Sequence, residues 1–217
     1  MKRLLKVLIF LVSISGMCVS YAKDDVATLK PQSLCPVMHT LNRQQNPVYF
    51  LQHQFDSGLQ ELAIATLDAD KNLSFKRVTY HQLKEPVCHY PALLIAEGLG
   101  WGWHIAWTDT QNLYYTRMDG EAWIAPPIKT LAEKVNPKEG LVLLQADKKM
   151  WLIWQEQHHA ESKVFAVYSN DEGRFWKDAK LLTQSQNSLS EFEISIKQTI
   201  PYLVWKGESE GVSLATW

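Results

Sequence analysis

Short apolar runs that close on tryptophan recur along this chain at intervals of about 50 residues. They are Trp103-His104-Ile105-Ala106-Trp107, Trp151-Leu152-Ile153-Trp154 and Tyr202-Leu203-Val204-Trp205, and Val48-Tyr49-Phe50-Leu51 is an earlier, weaker copy. Each run is too short for a stable helix, and its aromatic and β-branched content is that of a buried strand. After each run comes a polar loop and a second strand, expected over Glu61–Leu67, Leu113–Met118, Val164–Ser169 and Gly211–Trp217. In three copies a turn rich in Asp, Asn or Gly then leads to another strand, expected over Leu73–Tyr80, Ala122–Leu131 and Phe175–Leu182. Ahead of the tryptophan runs lie Ala92–Ala96, Leu141–Gln145 and Phe192–Ile196.

The repeating unit is therefore four short strands, and the pattern predicts an all-β chain. Units of this size in tandem point to a small β-propeller of about four four-stranded blades, with a β-sandwich as the competing architecture. The fourth copy stops at Trp217 after its third strand. Val26-Ala27-Thr28-Leu29-Lys30 is short and strand-like, and is expected to complete that blade, closing the ring and covering its edge.

The first residues carry Lys2, Arg3 and Lys6, then an apolar stretch to about Ile14 and the small-x-small site Ser20-Tyr21-Ala22. That is the layout of a secretory signal peptide over 1–22, leaving 23–217 as one domain. Cys18 lacks the leucine-bearing context of a lipidation site. No later stretch approaches the ~20 apolar residues of a membrane-spanning helix. Loss of the leader takes the net charge from −1 to −4, and no basic block remains, so nucleic acid is not an expected partner. The expected location is periplasmic or secreted. In that oxidising setting the remaining cysteines, Cys35 and Cys88, are one repeat apart and are expected to form a disulfide.

Ser169-Asn170-Asp171-Glu172-Gly173-Arg174-Phe175-Trp176 has the form Ser-x-Asp-x-Gly-x-x-Trp. It resembles the Asp-box (BNR) repeat of the sialidase-like β-propeller superfamily. Thr116–Trp123 is a degenerate second copy, and Thr66–Lys71 keeps only the acidic turn residues. The resemblance implies a structural role for Ser169, Asp171, Gly173 and Trp176, at the turn between the third and fourth strands of a blade and opposite the active face. Sialidases of that superfamily use an arginine triad introduced by an early Phe/Tyr-Arg-Ile-Pro motif, a Tyr–Glu pair and an Asp acid. The motif is missing here, and beyond the leader only Arg43, Arg77, Arg117 and Arg174 remain. The chain reads as a non-sialidase member.

Three functions stay open on the sequence. The first is a binding or scaffolding module for protein or glycan, needing no cofactor. The second is a sialidase-like glycoside hydrolase using carboxylates at the propeller mouth. There the loops between second and third strands are expected to place Asp56, Asp109, Glu156 and Glu208, with His158 and His159 as ligand-binding candidates beside Glu156. The third is a periplasmic metal-handling protein. Reduced Cys35 and Cys88 with His39 and His89, and Met38 as an optional thioether, would make a soft set for Cu(I) or Zn(II). Trp101, in the turn Gly98–Gly102, is a candidate stacking platform for a sugar.

Overall fold

The computed structural model describes residues 35–70, 72–81, 83, 87–120, 127–135, 141–158, 161–185, 192–197, 200–205 and 211–214. The expected leader, the closing strand Val26–Lys30, His159 and Glu208 lie outside these residues. All the described secondary structure is β, in antiparallel meanders that pair in chain order. The chain divides into two compact units, with the boundary between Val135 and Asn136.

The first unit holds two four-stranded sheets. One is β1 (Val37–Leu41), β2 (Pro47–Gln54), β3 (Gln60–Leu67) and β4 (Leu73–Arg77). The other is β5 (Ala92–Glu97), β6 (Gly102–Thr108), β7 (Asn112–Asp119) and β8 (Lys129–Glu133). Alternation explains how they stack, because every second residue of a strand faces one way. Val48 and Phe50 of β2, Leu62 and Ile64 of β3, Leu93 and Ile95 of β5, and Trp103, Ile105 and Trp107 of β6 form one buried cluster. β5 lies alongside β1 and β2, so the sheets meet along their first strands. Trp107 is fully buried, and burial of such a side chain is among the largest single contributions a core can receive.

The turns follow side-chain chemistry. Asn42 Oδ1 accepts from the Gln44 and Asn46 amides, Asp68 Oδ1 from Asp70 and Asn72, and Asp109 Oδ1 from Gln111 and Asn112. An Asn or Asp carboxyl or amide oxygen thus stands in for a backbone acceptor at each of these hairpin tips. The β5–β6 turn instead needs glycine. Gly102 has φ 144°, and a Cβ there would overlap the Met118 carbonyl oxygen on the paired strand.

The second unit holds β9 (Val142–Ala146), β10 (Lys149–His158), β11 (Glu161–Ser169) and β12 (Lys180–Ser185), then a three-stranded sheet of β13 (Phe192–Lys197), β14 (Ile200–Trp205) and β15 (Gly211–Ser213). Val142, Leu144, Trp151, Ile153, Val164, Ala166 and Tyr168 form its described core with Leu214, which follows β15. Trp151 and Trp154 lie on opposite faces of β10, as their odd spacing requires.

The second and third sheets repeat each other in detail. Trp107 pairs with Tyr114 and stacks on it at 5.6 Å, and Trp154 pairs with Phe165 and stacks at 5.7 Å. A β-bulge falls beside each pair, at Leu113/Tyr114 and at Val164/Phe165. A cross-strand aromatic pair beside a bulge, at matching places in two meanders, is a repeat of structure as well as of sequence.

The fourth strand of each four-stranded sheet is placed differently from the sequence reading. β4 ends at Arg77, not Tyr80, because the Val78 and Thr79 amides both turn to the Leu62 carbonyl. β8 begins at Lys129. β12 begins at Lys180, not Phe175, because the motif from Ser169 forms its own compact loop. Ser169 Oγ donates to Asp171 Oδ1 at 2.7 Å and accepts from the Gly173 amide at 2.9 Å, while Asp171 Oδ1 accepts from the Phe175 amide at 2.9 Å. Glu172 and Gly173 take the left-handed conformations this loop requires. The Lys177 amide then donates to the Tyr168 carbonyl before β12 starts. Phe175 is 77% exposed and Trp176 half-buried. The other end of the degenerate copy, Trp123, lies outside the described residues.

Gly102→Ala is expected to lower stability by about 2–4 kcal/mol, since both the backbone angle and the backbone contact oppose a side chain. Urea unfolding of Gly102→Ala against Gly58→Ala, where φ is also positive but the space is open, separates the steric part from the conformational one.

Candidate functional site

In the first unit, one end of the sheets carries the β2–β3 and β6–β7 turns and the connection from β4 to β5. This end gathers the polar groups. Glu61, second residue of β3, is fully buried beside apolar Leu62, so its carboxylate must be satisfied from within. Thr79 Oγ1 donates to Glu61 Oε2 at 2.7 Å and accepts from the Leu62 amide at 2.9 Å. The His81 amide donates to the same carboxylate oxygen at 2.9 Å. His81 Nδ1 lies 2.9 Å from the Tyr90 hydroxyl, and the Gln60 amide donates to the Leu83 carbonyl.

A second clasp surrounds Cys88. The buried Gln52 side chain of β2 donates from Nε2 to the Gln60 side-chain oxygen and to the Val87 carbonyl, and accepts from the His89 amide at Oε1. Cys88 itself is bonded to Cys35, with Cα atoms 5.1 Å apart. The disulfide ties the segment before β1 to the segment before β5, and such a link across a long loop contributes about 2–4 kcal/mol. It fits an oxidising, exported setting.

Tyr90 stands at the junction. It is buried, and its pKa is pushed up to about 12, first by burial and then by the nearby carboxylates of Glu61 and Asp109, with the Thr79 hydroxyl opposing. Asp109 accepts from the Tyr114 hydroxyl at Oδ2. Burial, and the bond to Asp109, raise the Tyr114 pKa as well. Glu61 and Asp109 therefore share one end of the unit with two protonated phenols.

The sequence candidates are placed as follows. Asp56 is exposed in the β2–β3 turn. Asp109 is half-buried and held by three donors. Glu156, expected in a loop, lies within β10 opposite Lys163, where it is buried and accepts from Trp154 Nε1 at 2.8 Å. His158 is in β10 opposite Glu161, so the β10–β11 hairpin is tighter than the run of polar residues suggests. His39 is exposed on β1, 6.4 Å in ring centroids from Tyr49, and Met38 packs against the core from the other face. His89 is half-buried next to the disulfide. In this state the sulfurs of Cys35 and Cys88 are bonded to each other and are not thiolates. Among the described residues no group of three or more His, Cys, Asp or Glu is placed to hold a metal ion.

At the opposite end of the sheets, Trp101 is half-buried, with Arg117 Cζ 3.9 Å from its ring and His104 edge-on at 4.7 Å. Arg43 pairs with Glu97 and donates to the Gly98 carbonyl at that same end. Of the three arginines in this unit, Arg77 alone sits at the end that carries Glu61 and Asp109. Sequence reasoning did not single out Glu61, Thr79, His81 or Tyr90. A charged residue opening the apolar run Leu62–Ala65 is the one local signal that Glu61 gives.

No family model matches the chain, and no curated protein matches it either. No helix among the described residues is long and apolar enough to cross a membrane.

His104 provides a pH test of the packing of the second sheet. It is fully buried, its Nδ1 lies 2.6 Å from the Tyr115 hydroxyl, and its Nε2 has no hydrogen-bond partner among the described residues. Burial, then the Arg117 charge, pull its pKa down to about 3. The unfolded chain therefore binds a proton near the usual pH of 6.5 that the folded chain refuses. The neutral imidazole's contribution is fully present above 6.5 and is lost as pH falls toward 3, at up to about 1.4 kcal/mol per pH unit. Denaturant midpoints across this range are expected to fall more steeply for the natural chain than for His104→Gln. Equal slopes would contradict the assignment.

Proposed function

We propose that this chain is an exported Asp-box β-propeller module that binds a protein or glycan partner, at the end of the sheets where the β2–β3 and β6–β7 turns and the β4–β5 connection meet. Support for the propeller reading comes from consecutive meanders in chain order, first strands side by side, the repeated Trp–aromatic pair with its bulge, and the Ser169–Asp171 loop after a third strand. Support for binding rests on one observation above all. The buried ionisable groups at this end are used in holding the loops: Glu61 accepts internal hydrogen bonds from Thr79 and His81, and Tyr90 keeps its proton to about pH 12. A general acid or base needs a pKa near the working pH and a proton within reach of substrate. A rigid, disulfide-tied surface suits recognition, where preorganisation lowers the entropic cost of association.

Glycoside hydrolysis is the second reading, favoured by the presence of Glu61 and Asp109 within electrostatic reach of one tyrosine. The two separate on one protein sample. The oxidised chain is expected to show saturable binding on a glycan array or in pull-down from the extracytoplasmic fraction, and no release of aryl leaving groups from a panel of model glycosides. Turnover that Asp109→Asn abolishes would replace the binding reading with the enzymatic one.

A further inference from the structure

The face of the first sheet opposite the buried cluster of Val48, Phe50, Leu62 and Ile64 carries an unusual row, in which Leu51, Ala63 and Ala65 are themselves buried and only the end toward Tyr80 is exposed. Ala63 and Ala65 lie on this face of β3, paired with Arg77 and Phe75 of β4 on one side and with Leu51 and Tyr49 of β2 on the other. Their small side chains leave room for groups from β2 and β4 to meet across β3. His53 of β2 stacks on Phe75 of β4, with ring centroids 3.7 Å apart and planes 4° from parallel. Phe55, just past β2, meets His53 edge-on at 4.8 Å. Arg77 Cζ then lies 4.4 Å from the Phe55 ring centre and 5.3 Å from that of Tyr80.

Two features set Arg77 apart. Its guanidinium lies against two rings, those of Phe55 and Tyr80, and among the described residues no carboxylate pairs with it. Beside it, Tyr80 is 70% exposed, second only to Phe175 among the large hydrophobic side chains of the described residues. Cation–π contact engages a guanidinium through its face and leaves its edge, with its N–H donors, turned outward. An edge of that kind matches the two oxygens of a carboxylate. Arginine and tyrosine are also the residue types that dominate protein–protein contacts.

Resting on the binding reading above, the geometry points to the Phe55–Arg77–Tyr80 cluster as the anchor for an acidic segment of a protein partner, with Arg77 taking a Glu or Asp carboxylate and Tyr80 covering the aliphatic part of the same segment. A protein segment fits better than a sugar. The Phe75 ring is already stacked on His53, and the Phe55 ring is flanked by His53 and Arg77. Phenylalanine also offers no hydrogen bond for sugar hydroxyls. Two groups modulate the site. Asp56 lies in the same turn as Phe55, and His53 is held below its ordinary pKa, chiefly by burial with Asp56 opposing, so it adds little positive charge at neutral pH.

The test uses the oxidised chain and fluorescent peptides with a Leu-Glu-Glu-Leu centre, against the same peptides carrying Gln for Glu, at low salt and followed by anisotropy. The Glu peptide is expected to bind saturably and the Gln peptide about tenfold more weakly, the cost of one charge-assisted pair. Arg77→Met should remove the same factor. Arg77→Lys should recover little of it, because a point charge on a flexible stem does not replace a flat fork. Lys76→Met removes the same charge from the other face of β4 and should leave affinity unchanged. If thermal melts show that Arg77→Met has unfolded, Tyr80→Ser at the exposed ring carries the test. Absence of Glu-peptide binding, or equal binding by Arg77→Met, overturns the inference. So does an oligogalacturonate probe that binds through Arg77 where the peptide does not. A partner captured equally by Arg77→Met leaves the binding module standing and removes only this anchor. Absence of any partner, protein or glycan, removes the module itself.

Discussion

A buried carboxylate organises the first unit. Glu61 enters the sheet fully buried, just ahead of the apolar run Leu62–Ala65, and a carboxyl group there is costly unless hydrogen-bond donors come to it. The donors come from a stretch far along the chain, Thr79 and His81, which the Glu61 side chain draws down onto the edge of β3. Once that stretch is held, His81 reaches Tyr90, and Gln52 grips the backbone on both sides of Cys88. The disulfide then fastens the start of the first sheet to the start of the second. One polar interaction thereby turns a long connection into part of the scaffold.

The sheets themselves rest on a different and simpler rule. Alternating apolar residues on the second strands, aromatic ones among them, provide buried faces. Trp107 and Trp154 occupy matching places in their sheets, each paired across to an aromatic residue beside a bulge. The bulges locally increase the twist of the third strands. The proposed binding surface depends on both devices: the paired sheets of the first unit supply a base, and the Glu61 network fixes the loops at one end of it.

How much of this the amino-acid order announces differs by residue. The tryptophan runs mark β6, β10 and β14 because strand periodicity and aromatic content are local signals. The loop at Ser169–Trp176 is legible for the same reason, since its hydrogen bonds join residues a few positions apart. Glu156 misleads: in Gln155-Glu156-Gln157-His158 polar residues continue a strand whose hairpin is very short, and Trp154 Nε1 supplies the bond that lets Glu156 stay buried. Glu61, Thr79, His81 and Tyr90 are silent in sequence because their meaning lies in contacts between distant segments. Arg77 looks like an ordinary strand-end charge until Ala63 and Ala65 are seen to let rings from both neighbouring strands close around it.

The account depends most on the claim that the described residues of 78–90 are scaffold and not open loop. Hydrogen–deuterium exchange on the oxidised protein measures this directly. The account predicts that amides of the described residues in 78–90, His81 and His89 foremost, are protected comparably to β3, and that Glu61→Ala releases them together while β6 and β7 stay protected. Exchange of these amides at the rate of the exposed turn 56–58 in the unaltered protein would contradict it.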